Sequence, residues 1–166
     1  MSQENKILVV DDKAVNVSLL IGILKTKYEV LVAKNGARGI DLAMSENQPD
    51  LILLDINMPE MDGFEVCRRL KEDEATKDIP VIFMTAVGDE DSEKKGFDMG
   101  CVDFLHKPFS PYIVKARVET HLKLKNGING KSHGNASGSP AGQETNDAFQ
   151  AFKKDLVTFI DGWKSS

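Results

Sequence analysis

Along the first 125 positions, short runs of large apolar residues alternate with stretches in which apolar residues recur every three to four positions. The runs include Ile7-Leu8-Val9-Val10, Leu51-Ile52-Leu53-Leu54 and Val81-Ile82-Phe83-Met84. They predict strands over 6–10, 28–33, 51–54, 80–85 and 103–106. The longer periodic stretches predict helices over 13–26, 36–46, 63–73, 90–99 and 111–125. A run that is apolar at consecutive positions buries both of its faces, which is the pattern of a parallel sheet covered on both sides. Five strand–helix units therefore predict an α/β fold: a doubly wound, five-stranded parallel sheet with right-handed crossovers. The punctuation agrees. Pro80 opens its strand, where no ladder donor is lost. Ser110 followed by Pro111 reads as an N-cap with proline in the first turn of a helix.

In open parallel sheets, chemistry gathers at the carboxyl ends of the strands. Four of the predicted strands end in polar residues: Asp11-Asp12, Asp55, Thr85-Ala86 and Lys107-Pro108. Each alone has an ordinary explanation. An acid pair after a strand is a turn or cap signal, a threonine caps a helix, and a lysine is solvated. As neighbours, however, they would join three carboxylates, a hydroxyl and an ammonium. Packing three carboxylates together is costly without a cation, so the cluster predicts a metal. Mg2+ suits it, being hard, octahedral and held by one or two carboxylates plus waters. Asp12 and Asp55 would ligate directly and Asp11 partly through water.

This set, in this order and spacing, resembles the receiver domain of bacterial two-component response regulators, of the chemotaxis-regulator kind, over about residues 5–125. The resemblance implies a flavodoxin-like fold and a phosphorylatable signalling switch, with Asp55 as phospho-acceptor and the main-chain carbonyl of Asn57 completing the metal ligands. It implies that Lys107 faces the phosphoryl group, that the Lys107–Pro108 bond is cis, and that Thr85 follows the phosphate while Phe104 swings into the space it leaves. Asn57 and Val87 stand where the family tunes phosphoryl lifetime. Such a domain takes its phosphoryl group from a sensor histidine kinase or histidine phosphotransfer domain and catalyses only its own phosphorylation and dephosphorylation. Helical spacing over 13–26 puts Val17, Leu20, Ile21 and Leu24 on a face expected to pack on the sheet. It puts Val15, Leu19 and Ile23 on the opposite side, where the resemblance implies docking of the donor's helical hairpin.

The chain has 166 residues, 41% of them hydrophobic, enough for one core of about 120 residues with a tail left over. No apolar run approaches the ~20 residues of a bilayer span, and Met1-Ser2-Gln3-Glu4 does not start a signal peptide. Cys67 and Cys101 have no metal-ligand spacing and read as buried thiols of a reducing cytoplasm. The net charge is −5, and residues 1–125, with 17 basic and 22 acidic side chains, carry all of it. That acidity argues against direct binding of nucleic acid. His106 should point away from Lys107 by strand alternation, and His121 and His133 have no neighbours that make a site. Two other classes compete: an aspartyl-phosphate phosphohydrolase of the haloacid dehalogenase kind and a receiver-like module that only binds. The first wants acids one residue apart after its first strand, whereas Asp11 and Asp12 are adjacent and the acceptor is on the third strand. The complete site argues against the second.

Residues 126–143 hold five Gly, three Ser and three Asn, a composition that reads as a flexible linker. Over 144–166, Asp147 and Gln150 resemble a capping box. Phe149, Phe152, Leu156, Phe159, Ile160 and Trp163 share a stripe about 100° wide. This amphipathic helix is either the start of an output region or a fused peptide. Its apolar face needs a cover, which its own receiver, a second copy in a homodimer or another protein could provide.

Overall fold

A computed structural model of the chain describes residues 5–86 and 88–134. Strands and helices alternate as β1 (Lys6–Val10), α1 (Ala14–Leu24), β2 (Glu29–Ala33), α2 (Gly36–Ala43), β3 (Leu51–Asp55), α3 (Gly63–Glu72), β4 (Val81–Ala86), α4 (Glu90–Asp98), β5 (Asp103–Lys107) and α5 (Pro111–Gly134). The five strands form one parallel sheet in the order β2-β1-β3-β4-β5. This is the doubly wound arrangement that the apolar runs predict. The chain divides into two compact units, Met1–Leu122 and Lys123–Ser166. The first holds the whole sheet. Of the second, only the end of α5 lies among the described residues.

The core follows from the runs. Ile7, Leu8, Val9 and Val10 of β1, and Leu51 to Leu54 of β3, are fully buried. At ~1.5–3 kcal/mol for each large apolar side chain taken out of water, these strands, with the equally buried Val81, Ile82, Phe83 and Met84 of β4, supply much of the hydrophobic driving force. β2 lies at the edge, and Glu29 at its start is exposed. On one side of the sheet, Leu8, Val10, Ile52, Leu54, Val81 and Phe83 share a core with Val66, Cys67 and Leu70 of α3. Burial pushes the Cys67 thiol up from its ordinary pKa, consistent with an inert core residue.

Three expectations are corrected. Ile23, expected on the outward side of α1, is buried together with Leu20 and Leu24, while Val17 and Ile21 are only half-buried. The three buried residues are spaced i, i+3, i+4, so the inward stripe is rotated from the predicted one. Val15 and Leu19 do remain exposed, at 79% and 44%. Second, α5 continues through Gly134, so 126–134, read as linker, is helical. Its glycines lower helix propensity without forbidding it. Third, His121 is buried and its Nε2 meets Asp103 Oδ2 at 2.9 Å, so it has a close partner after all. The remainder of the predicted linker, including His133's neighbours beyond 134, and the helix proposed over 144–166 lie outside the described residues.

Candidate functional site

Register carries the polar strand ends to one edge. Val10 pairs with Leu54 and Asp55 with Met84. Thr85 pairs with His106 and Ala86 with Lys107. Asp11 therefore leaves β1 one residue beyond the level of Leu54, beside Asp55. One ligand oxygen from each of Asp11, Asp12 and Asp55 can be chosen so that all three lie within 4.8 Å of one another. The predicted cluster is thus a spatial fact. Asp11 and Asp55 are buried and Asp12 is exposed.

Asp55 sits in an incomplete shell. Its Oδ1 accepts from Lys107 Nζ at 2.9 Å and, at 3.4 Å, from the main-chain N–H of Asn57. Its Oδ2 is buried and accepts nothing from the protein; the hydroxyl of Thr85 is buried and equally unpartnered. Burial pushes the Asp55 carboxyl above its ordinary pKa; neighbouring Asp11 adds to this, and Lys107 opposes it. Asp11 is held differently. Lys13 N–H donates to its Oδ1 at 2.9 Å and Asn16 Nδ2 to its Oδ2 at 3.0 Å. Two engaged oxygens fit a ligand that reaches a cation partly through water, and the exposed carboxylate of Asp12 fits a direct one. An all-oxygen donor set with one orphaned buried carboxylate oxygen suits a hard divalent ion.

The loop after β3 is built around Asp55. Asp62 caps α3 by accepting from Glu65 N–H at 2.9 Å, and Gly63 N–H donates to Ile56 O at 2.8 Å. A Cβ on Gly63 would fall 2.4 Å from the carbonyl oxygen of Asp55. Only glycine lets the helix start this close to the acid. Glu60 occupies φ 69°, and Met61 N–H closes on Pro59 O at 2.7 Å. This is a γ-turn with a non-glycine residue in left-handed territory, a conformation stored at functional loops. On the other side of the site, the Lys107–Pro108 peptide bond is cis, as the resemblance implies.

Among the remaining residues, Phe104 is fully buried and packs against the rings of Phe83 and Phe97. His106 is partly buried and its Nε2 contacts Glu93 Oε1 of α4, away from the Asp55 cluster. Val87 falls outside the described residues. Two features escaped sequence reasoning. Asn16 supports Asp11; its position five residues on, in the first turn of a helix, was the available signal. Asp103, Arg117 and His121 form a buried polar cluster, and the i, i+4 spacing of Arg117 and His121 on α5 was the signal there.

The comparisons agree with this architecture. Residues 7–119 match the family model described as the response regulator receiver domain, and the chain belongs to that family. It is a receiver domain, the phosphorylatable signalling module of two-component systems. Over 138 residues it is 41% identical to Response regulator PleD of Caulobacter vibrioides, covering 82% of this chain and 30% of PleD. Over 119 residues it is 43% identical to the DNA-binding dual master transcriptional regulator RpaA of Synechocystis, covering 71% of this chain and 49% of RpaA. The chain thus spans half or less of the length of these two relatives. Among solved structures, chemotaxis protein CheY4 of Vibrio cholerae superposes with a TM-score of 0.67 at 27% identity, covering 71% of this chain and 98% of CheY4. A receiver domain protein from Clostridium thermocellum gives 0.69 at 25% identity, covering 75% and 98%.

Proposed function

We propose that Asp55 is the phospho-acceptor of this receiver, and that the observation carrying the assignment is its buried, unpartnered Oδ2 beside Lys107 Nζ. That oxygen attacks the phosphorus of a phosphohistidine in line with the bond that breaks. The P–N bond is lost as the P–O bond forms, and the electron pair returns to the donor's imidazole nitrogen. The product is an acyl phosphate on Asp55. Lys107 and Thr85 supply an ammonium and a hydroxyl to the phosphoryl oxygens. Asp11, Asp12, Asp55 and the main-chain carbonyl of Asn57 would hold Mg2+, whose chemistry is to neutralise charge on those oxygens. Phe104 is the residue that reports the event, in concert with Thr85.

The donor is a sensor histidine kinase or a histidine phosphotransfer domain, docking where Val15 and Leu19 are exposed on α1. Ile23 lies beneath that surface. No helix among the described residues is long and apolar enough to cross a membrane, and the reading places the protein in the cytoplasm. The acidic receiver is not itself a nucleic-acid surface on this reading. The DNA binding in the printed description of RpaA belongs to that protein, of which this chain covers 49%.

The test is labelling by acetyl phosphate, read by intact mass. The expected result is one added phosphoryl group that requires a divalent ion and vanishes in Asp55→Asn. Full labelling of Asp55→Asn would sink the assignment. Turnover of unrelated phosphate esters would favour the phosphohydrolase class instead.

A further inference from the structure

Gly96 lies inside α4 and is buried. Glycine within a helix is unfavourable relative to alanine, so its presence at a buried position calls for a packing reason. A Cβ there would fall 2.6 Å from Cζ of Phe104, 2.9 Å from Cδ2 of Phe83 and 3.1 Å from Cε2 of Phe83. None of these is the loose end of a flexible side chain. The Phe104 ring centroid stands 5.0 Å from that of Phe97 and 5.9 Å from that of Phe83, and Phe83 is itself 5.4 Å from Phe64. Rings boxed in this way cannot each slide a few tenths of an ångström. A methyl group at 96 forces either Phe104 out or α4 away from the sheet.

The consequence reaches the acid site through β4. Phe83 pairs with Phe104 across the β4–β5 ladder, and Thr85 lies two residues on from Phe83, on the same face of the strand. Thr85 ends in a buried hydroxyl with no protein partner. We propose that Gly96 is a positioning residue of the switch: the absence of a side chain at 96 is what seats Phe104 inward, and this sets how tightly the phosphorylated arrangement is held. This rests on the reading of Asp55, Thr85 and Phe104 given above. If inward Phe104 and phosphoryl-bound Thr85 favour one another, a penalty on the first weakens the second by the same factor, because coupling is reciprocal.

The experiment measures beryllofluoride binding in the presence of magnesium by the full chain, comparing wild type, Asp55→Asn, Gly96→Ala, Phe104→Leu and the Gly96→Ala/Phe104→Leu pair. Contacts between the Phe104 and Phe97 rings are followed by NMR in the variants that keep Phe104. The expected result is that Gly96→Ala binds at least about fivefold more weakly and loses the ring contacts. Gly96→Ala added to Phe104→Leu should then change affinity by less than about twofold, because the shorter side chain removes the nearest clash and opens space beside Phe83, which packs on Phe104, for that ring to shift off the methyl. A Gly96→Ala protein that melts earlier but keeps wild-type affinity and ring contacts would overturn the proposal, as would additive losses in the pair. Should Gly96→Ala fail to fold, a folded pair that binds like Phe104→Leu supports the seat and an unfolded pair refutes it. Wild type that binds no better than Asp55→Asn would instead refute the acceptor reading, so the two failures are distinct.

Discussion

Of the three wholly buried aspartates among the described residues, Asp55 and Asp103 are treated in opposite ways. Asp103 opens β5. Its Oδ1 accepts from Phe104 N–H at 2.7 Å and Arg117 Nη1 at 2.8 Å, and its Oδ2 meets His121 Nε2 at 2.9 Å. Asp55 closes β3 with one lysine, one long main-chain contact and one bare oxygen. A buried carboxylate whose two oxygens are both bonded is a fastener, because any change of state loses several bonds at once. A buried carboxylate with a bare oxygen is kept ready for something the protein does not itself supply. Burial does not separate Asp55 from Asp103; satisfaction of their hydrogen-bonding atoms does.

The sharpest way to break this contrast is to exchange the chemistry. Asp55→Asn should remove labelling by acetyl phosphate completely, whereas Asp103→Asn, if folded, should still be labelled. Mass spectrometry of both variants decides, and a folded but unlabelled Asp103→Asn would show that the fastener also serves the reaction. Next in size is stability. Asp103→Ala leaves Arg117 and His121 facing a hole and should cost about 3–5 kcal/mol in denaturant unfolding. Asp55→Ala should cost far less, and equal losses would erase the distinction. A smaller effect concerns the metal. By calorimetry, Asp12→Ala should weaken Mg2+ binding roughly tenfold more than Asp11→Ala, because both Asp11 oxygens already serve Lys13 and Asn16; equal losses would contradict that division.

The smallest expected effect is in pH. Without metal, burial holds the Asp55 carboxyl above its ordinary 3.8. The folded protein then binds that proton more tightly than the unfolded chain. The resulting stability is fully present below about 3.8 and is lost as pH rises through the raised folded value. Metal-free wild type should therefore fall behind Asp55→Asn on going from pH 4 to pH 7, and Mg2+ should close the gap. Unfolding curves at the two pH values with and without the ion measure it. A gap that is constant with pH would mean that Asp55 is already solvated enough to ionise freely.

The fold was legible because its central strands are unbroken apolar runs, which have few alternatives to a sheet covered on both faces. The polar strand ends were legible because a parallel sheet collects them at one edge, whichever exact register applies. Ile23 was misjudged because α1 is apolar nearly all round, so periodicity alone does not fix its rotation; packing against the sheet, at β2, does. The end of α5 was misjudged because glycine and asparagine weaken a helix by fractions of a kcal/mol each, which composition cannot distinguish from ending it. The Asp103 cluster was hidden for a different reason. Its members come from two elements, and only their meeting makes them more than a strand-opening acid and two ordinary helical residues.

The register of the sheet has one more consequence. Side chains alternate along a strand, so a one-residue slip of β4 against β3 would set Met84 or Ala86 at the level where Thr85 now stands and turn its hydroxyl to the other face. The same slip of β1 would carry Asp11 away from Asp55. A misaligned sheet could still be compact, apolar inside and rich in secondary structure, yet it would be chemically silent. Acquisition of a phosphoryl group is therefore also a certificate of correct strand alignment: during refolding, the yield of label counts the molecules that have paired properly, which a circular dichroism signal cannot do.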